Sequence, residues 1–184
     1  RNKRRSNYKD WGFLVLNNYG IDIWSDDNFI IEDGLAKVNF ASKPSLISIV
    51  KEIREQDFKG PLLLRFPHIT NKQITTLFDT FNNSIKEYDY KGNFNAVFPL
   101  KVNQLPNFIQ PLLSSGKKFN YGLEAGSKAE LVIAMTYNNK NAPITVNGFK
   151  DKEMVHLGFI AKSKGHDITL IIEGLNELQT IIAV

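Results

Sequence analysis

The chain has 184 residues, of which 42% are hydrophobic and 11% aromatic, a composition typical of a globular domain. These aromatic residues argue against disorder, because burial of their rings offsets the chain entropy that is lost on folding. The sequence has no Cys, which excludes a disulfide scaffold, a thiolate zinc site, a thiolate nucleophile and an iron–sulfur cluster.

Much of the net charge of +4 comes from the start of the chain, at Arg1, Lys3, Arg4 and Arg5. Such a cluster is typical of a solvated chain start, and the alternative is an arm that binds nucleic acid. No RNA-binding motif of aromatic residues and glycine follows it, so we expect no nucleic-acid partner.

We also expect no membrane association and a cytoplasmic location. No apolar run reaches the roughly 18–20 residues that a spanning helix needs, and the first residues do not resemble a signal peptide. The chain begins without Met, and we expect its ends to differ from those of the natural gene product.

Residues 1–60 are expected to form an irregular β-containing segment that ends in a helix. Short strand-like pieces in it are separated by Asn, Asp and Gly, which favour turns. After Pro44 the apolar residues recur at helical spacing, with Ser42 or Ser45 as the cap and Gly60 as the end. The predicted strand-like pieces are 11–16, 21–24 and 28–31.

From residue 61 to residue 184, apolar strands alternate with helices. The strands are apolar throughout, which indicates a parallel sheet buried on both faces. The pattern predicts an α/β fold, either an open doubly wound sheet or the first part of an eight-fold barrel. The predicted strands are 62–66, 93–102, 119–123, 143–146 and 168–172. Of the predicted helices, the first begins at Thr70 or Asn71 and the last begins at Asn176. The three between them span 106–113, 128–137 and 151–162.

Lys101 is unusual because it lies near the carboxyl end of an apolar run. A lysine that reaches solvent from the strand end is one explanation. The alternative is a buried lysine whose charge is removed by Schiff base formation. Polar residues also follow the other strands, namely His68, Glu124, Asn147 and Glu173. Because the carboxyl ends of parallel strands share one edge, we expect these five side chains to lie on one rim.

Four segments of the chain resemble the bacterial biosynthetic arginine decarboxylases, a branch of the fold-type III pyridoxal-phosphate decarboxylases. Residues 98–104 (FPLKVNQ) resemble the segment that carries the cofactor lysine, and residues 122–131 (GLEAGSKAEL) are similar to the next segment. Residues 147–151, and Gly165-His166 with Ile171-Ile172-Glu173, resemble a third and a fourth segment. The long stretch before residue 60 favours the arginine branch over the racemases.

The resemblance implies that residues 61–184 form the first part of a parallel (β/α)8 barrel that binds pyridoxal phosphate. The remaining barrel strands and a C-terminal β-domain of the family are absent from this chain. Lys101 would form the Schiff base with the cofactor, and Glu124 would lie close to both. Four further residues are candidates for the shell that surrounds the cofactor-binding residues: His68, Ser127, Asn147 and Glu173.

The implied reaction converts L-arginine to agmatine and carbon dioxide in polyamine biosynthesis. A homo-oligomer and a magnesium ion are expected from the resemblance alone, and the sequence itself indicates no metal ligands. Two alternatives stay open. One is a cofactor-binding barrel portion without turnover, and the other is a different fold-type III enzyme, such as a diaminopimelate or ornithine decarboxylase or an amino-acid racemase.

Overall fold

A computed structural model describes residues 19–184 of the chain. The chain divides into two compact units between Arg65 and Phe66, whereas the sequence pattern placed the division at residue 60. The predicted strand 11–16 and the basic cluster at the chain start lie outside the described residues.

The first unit contains a hairpin, in which β1 (Phe29–Glu32) pairs antiparallel with β2 (Leu35–Val38). Asp33 and Gly34 form its two-residue loop and both have positive φ, at 55° and 71°. A loop of this kind matches the twist of the paired strands, and the Asp-Gly sequence favours it because Gly has no Cβ to strain. The strand predicted at 28–31 is thereby confirmed within one residue.

The predicted strand at 21–24 is wrong, because these residues form the one-turn helix α1 (Ile21–Trp24). Gly20, with φ of 67°, turns the chain, and its carbonyl oxygen accepts from Ile23 N at 2.9 Å. A segment of four residues is too short for its apolar period to distinguish a helix from a strand.

The predicted helix after Pro44 is confirmed as α2 (Leu46–Glu55). Of the two candidate caps it uses Ser45, whose Oγ accepts from Ser48 N at 3.0 Å. This bond satisfies one of the backbone donors that a helix start leaves free.

The second unit is an α/β layer built on a parallel sheet. Within the described residues the sheet has four strands, in the order β3-β4-β5-β6, each preceded and followed by a helix or turn. The strands are β3 (Val97–Pro99), β4 (Gly122–Ala125), β5 (Pro143–Val146) and β6 (Asp167–Leu170). The helices are α3 (Pro67–Glu87), α4 (Pro106–Gly116), α5 (Lys128–Tyr137), α6 (Lys152–Ser163) and α7 (Leu175–Ala183).

The order of these strands follows the chain without reversal. A doubly wound sheet reverses its order at a switch point, which places helices on both of its faces. In residues 66–184 no such reversal occurs, and the structure confirms the parallel α/β layer.

The core lies between the sheet and its helices. Leu123 and Ala125 of β4 face it together with Ile144 and Val146 of β5, and all four are fully buried. They pack in one cluster with helix residues such as Leu112, Leu131, Ala134 and Met154. Burying a side chain of leucine size contributes about 1.5–3 kcal/mol, so this contact fixes the helices on one face of the sheet.

The predicted strand at 62–66 is wrong, because these residues pair with no strand among residues 19–184. Their exposure alternates along the chain, as it would in a strand with one face covered. The helix that follows begins at Pro67, ahead of the predicted caps Thr70 and Asn71. Pro is favoured there, since its ring presets φ and its missing N–H is not needed.

Two strand boundaries also differ from prediction. The strand expected at 93–102 is ordered as β3 over three residues only, followed by a 3₁₀ turn at Leu100–Val102. The strand expected at 119–123 begins at Gly122, because Lys117–Phe119 forms another 3₁₀ turn that closes at Asn120 with φ of 53°. β4 therefore extends to include Glu124.

Side-chain contacts join each loop at the carboxyl end of the sheet to the next loop along the sheet. We call them the inter-loop contacts. They are Gln104 Nε2 to Glu130 Oε1 at 2.9 Å, Lys128 Nζ to Asp151 Oδ2 at 2.7 Å, and Lys150 Nζ to Glu177 Oε2 at 3.2 Å. Together they connect the ends of all four strands.

Two of these contacts shift the pKa values of their members. Hydrogen bonds from Lys128 and from Met154 N lower the pKa of Asp151, and Asp151 with Glu153 raises the pKa of Lys128. The pKa of Glu177 is lowered, first by the hydrogen bond from the backbone N–H of Glu173. Lys150, whose side chain is fully buried, lowers it further.

Replacing Gly122 with Ala should destabilise the second unit by about 3 kcal/mol, because extra atoms in a packed interior force the backbone apart. A Cβ at this position would lie 1.9 Å from the carbonyl oxygen of Pro143 on β5. Gly174→Ala is the matched control, since a Cβ there meets nothing within 4 Å. It should cost less than about 1 kcal/mol in urea unfolding. Equal losses in the two variants would show that the close approach does not constrain the sheet.

The Glu177→Gln change should remove a stabilisation that depends on pH. Because the pKa of Glu177 lies below its ordinary value of 4.5, its carboxylate stabilises the folded chain above that pH. This stabilisation is lost as the pH falls through the lowered pKa. The difference in free energy of unfolding between parent and variant should therefore be largest near pH 7 and shrink below about pH 4.5.

Urea unfolding between about pH 7 and about pH 3 measures this difference. Glu87→Gln makes the same change at an exposed residue of α3 and should show a much weaker dependence on pH. A parent–variant difference for Glu177 that stays constant over this range would contradict the assignment.

Candidate functional site

The carboxyl ends of the four parallel strands carry most of the residues that the sequence singled out. Lys101 lies two residues after β3, and Glu124 is the third residue of β4. Asn147 follows β5 directly, and Glu173 lies three residues after β6. Since the strands are parallel and adjacent in chain order, these four positions share one edge of the sheet.

Lys101 is exposed, which agrees with a lysine that reaches solvent from the strand end and not with a buried lysine. The reason is that β3 ends at Pro99 and the chain continues into the Leu100–Val102 turn. Leu100 takes the fully buried position of this turn, and Lys101 is directed away from the core. Its amine is thus accessible at the rim of the sheet.

Glu124 lies in the sheet between two core residues, Leu123 and Ala125, and is 6% exposed. Neighbouring residues of a strand point to opposite faces, so Glu124 faces away from the helix layer. Its ladder partners on that face are Pro99 and Thr145.

The buried Oε1 atom of Glu124 has no hydrogen-bond partner among residues 19–184. An unsatisfied buried polar atom costs about 1–3 kcal/mol, and such atoms in folded proteins call for an explanation. A carboxylate oxygen that is held in place without a donor is suited to bind a donor group of a ligand.

Ser127 caps α5, and its Oγ accepts from Glu130 N at 3.2 Å. Glu130 is 8% exposed and accepts at both oxygens, from Gly126 N at 2.7 Å and from Gln104 Nε2 at 2.9 Å. The Ser-x-x-Glu spacing signals a capping box in the sequence. The contact with Gln104, 26 residues away, has no signal in the local sequence.

The other predicted site residues are Asn147, Glu173 and His68, and the structure shows no side-chain hydrogen bond between them and Glu124 among the described residues. Asn147 is exposed, and its backbone N donates to Ala125 O at 2.9 Å, which holds the loop after β5 against β4. Glu173 is exposed and bound through its backbone to Glu177. His68 lies in the first turn of α3, with its ring 6.1 Å from that of Phe66, and outside the paired strands.

The loops after β4 and β5 approach each other through glycines. A Cβ at Gly148 would lie 2.1 Å from the carbonyl oxygen of Gly126. Only a residue without a side chain allows this approach. It brings the backbone of the loop after Glu124 into contact with the backbone of the loop that contains Asn147.

These residues fit part of a pyridoxal-phosphate site. The accessible amine of Lys101 provides a point for covalent attachment, and the free Oε1 of Glu124 provides an acceptor at the same edge. Residues 19–184 contain no group of three His, Asp or Glu side chains arranged for a metal ion. The helices of this same region include none that is long and apolar enough to cross a membrane.

No protein-family model matches the chain. The chain is 36% identical over 174 residues to a biosynthetic arginine decarboxylase from Prochlorococcus marinus, an alignment that covers 91% of this chain and 27% of that protein. It is also similar to the crystal structure of the biosynthetic arginine decarboxylase from Campylobacter jejuni. That similarity has a TM-score of 0.87 and 61% identity, over 90% of this chain and 28% of that one.

The fold is shared more widely. A diaminopimelate decarboxylase structure from M. jannaschi matches with a TM-score of 0.60 and 22% identity, over 85% of this chain and 32% of that one. The chain therefore spans between a quarter and a third of the length of the proteins that it matches. Over nine-tenths of its own length, this chain is similar in sequence and in structure to the biosynthetic arginine decarboxylases.

Proposed function

We propose that this chain supplies the cofactor-attachment portion of an arginine decarboxylase that uses pyridoxal phosphate. The observation that carries the proposal is the pair formed by the exposed amine of Lys101 and the free, buried Oε1 of Glu124 at one edge of the sheet. The arginine decarboxylases from P. marinus and C. jejuni support the choice of substrate.

When bound, pyridoxal phosphate supplies the electron sink that accepts the electron pair left behind as carbon dioxide departs. Lys101 Nζ would hold the cofactor by condensing with its aldehyde, which releases water, and would carry a proton to or from the reacting carbon. Its position on a turn, rather than within the strand, gives the side chain the freedom that attachment and release require.

Glu124 Oε1 accepts a hydrogen bond from the cofactor or holds a proton there. Because Leu123 and Ala125 on either side are fully buried, the position of this carboxylate is fixed by the core packing of β4. A fixed acceptor needs no reorganisation during the reaction, which is the source of its advantage over water.

We further infer that the sheet is part of a (β/α)8 barrel. Two observations support this: the strand order follows the chain, and Leu123 and Ala125 of β4 pack in one cluster with the helices. In such a barrel the face that carries Glu124 and Thr145 is the interior. The remaining strands, the arginine-binding groups and an oligomer interface would come from outside these residues, and the product agmatine would enter polyamine biosynthesis in the cytoplasm.

The proposal is tested with the complete enzyme, in which the remaining barrel strands and the arginine-binding groups accompany these residues, incubated with pyridoxal phosphate and carboxyl-labelled arginine. We expect labelled carbon dioxide and agmatine in equal amounts. Release of carbon dioxide from ornithine or diaminopimelate, but not from arginine, would contradict the assignment of arginine as the substrate. Cofactor attachment without any release would reduce the function to cofactor binding.

The Lys101→Ala variant should lose covalent attachment of the cofactor and at least about 10³-fold of the decarboxylation rate, because no other amine replaces the nucleophile. Lys101→Arg should fail equally, since a guanidinium forms no such bond. Lys140→Ala, at an exposed lysine before β5, is the control and should retain attachment. Borohydride reduction followed by peptide mapping locates the label, and a label on Lys128 or Lys150 would contradict the assignment.

The Glu124→Gln variant should keep its fold while the decarboxylation rate falls by about 10²-fold. Gln has nearly the same volume and no charge, so the free energy of unfolding should change by no more than about 1 kcal/mol. Thermal unfolding and steady-state kinetics measure the two effects. A variant with the parent's rate would show that the free Oε1 atom has no part in the reaction.

A further inference from the structure

We propose that Gln104 and Glu130 are positioning residues for Lys101. Their hydrogen bond holds the turn that carries the amine against the end of the strand that carries Glu124. This inference rests on the proposed function and deepens it, because neither residue is needed for attachment chemistry itself.

The first link is between the lysine turn and α5. Gln104 lies three residues after Lys101, and its Nε2 donates to Glu130 Oε1 at 2.9 Å. The turn is anchored at its other end by Leu100, which is fully buried. Val102 is 66% exposed and contributes little packing, so the hydrogen bond supplies an anchor that the apolar contacts do not.

The second link is between α5 and the end of β4. The other oxygen of Glu130, Oε2, accepts from Gly126 N at 2.7 Å. Gly126 lies two residues after Glu124 in the chain. One buried carboxylate therefore connects the segment after Lys101 to the segment after Glu124.

Helix capping alone does not account for this arrangement. Ser127 already caps α5, and a capping carboxylate needs only the one oxygen that reaches back to the backbone. Oε1 instead reaches across 26 residues to a different loop. Glu177 has the matching position in α7, because it accepts from Glu173 N and contacts Lys150 in the preceding loop. Glu173 and Lys150 do not lie next to Lys101 in the chain, so the contacts of Glu177 cannot position that lysine.

The chemistry of the pair allows a charge exchange as a test. In Gln104→Glu two carboxylates face each other at hydrogen-bond distance, and their repulsion should displace the turn. In the double variant Gln104→Glu/Glu130→Gln the donor and acceptor are exchanged. The new amide at position 130 can still accept from Gly126 N while it donates to the new carboxylate at position 104.

The measurement is the rate at which pyridoxal phosphate attaches to Lys101 in the full chain, trapped by borohydride and quantified by peptide mass spectrometry. Gln104→Glu should lower this rate by about tenfold or more, since small displacements of a reacting group are costly. The double variant should recover it to within about threefold. Gln110→Glu introduces the same charge at an exposed position of α4 and should leave the rate unchanged.

Thermal unfolding of every variant separates positioning from general destabilisation. Equal rates in the parent and Gln104→Glu, or a double variant that regains stability but not rate, would overturn the positioning role alone. If the unchanged chain attaches no cofactor at Lys101, the proposed function fails and the positioning role fails with it.

Discussion

Parallel pairing of β3 to β6 in chain order is the constraint on which the rest of the second unit depends. Since every strand runs the same way, each one delivers its last residues to the same edge. Each following helix must then return across the sheet on the same side, because the crossovers share one hand. The parallel order of the strands therefore produces both an apolar face that helices cover and an edge where polar side chains converge.

The placement of Glu124 follows from the period of two along a strand. Leu123 and Ala125 are fixed in the core, so the residue between them can only face the other way. The core therefore determines the position of a polar group that takes no part in it. The same packing that stabilises the unit also holds a carboxylate rigidly, and at an energetic cost that a bound ligand could offset.

The sequence predicts the second unit best where local signals delimit an element. The bounds of α5 and β5 agree with the pattern, because the residues that begin and end an element act locally. The lack of strand pairing at residues 62–66 within the described part of the chain, and the end of β3 ahead of Lys101, could not be obtained in this way. Both depend on where a strand stops, which is decided by its neighbours in space, as is the contact of Gln104 with Glu130.

The chain-ordered sheet also has a consequence for how the protein is made. Paired residues of adjacent strands are roughly two dozen positions apart, so each new strand meets its partner soon after leaving the ribosome. Each βα unit from β4 to β6 can dock on the one synthesised before it. The inter-loop contacts would close in the same succession, so assembly can proceed vectorially from the amino end.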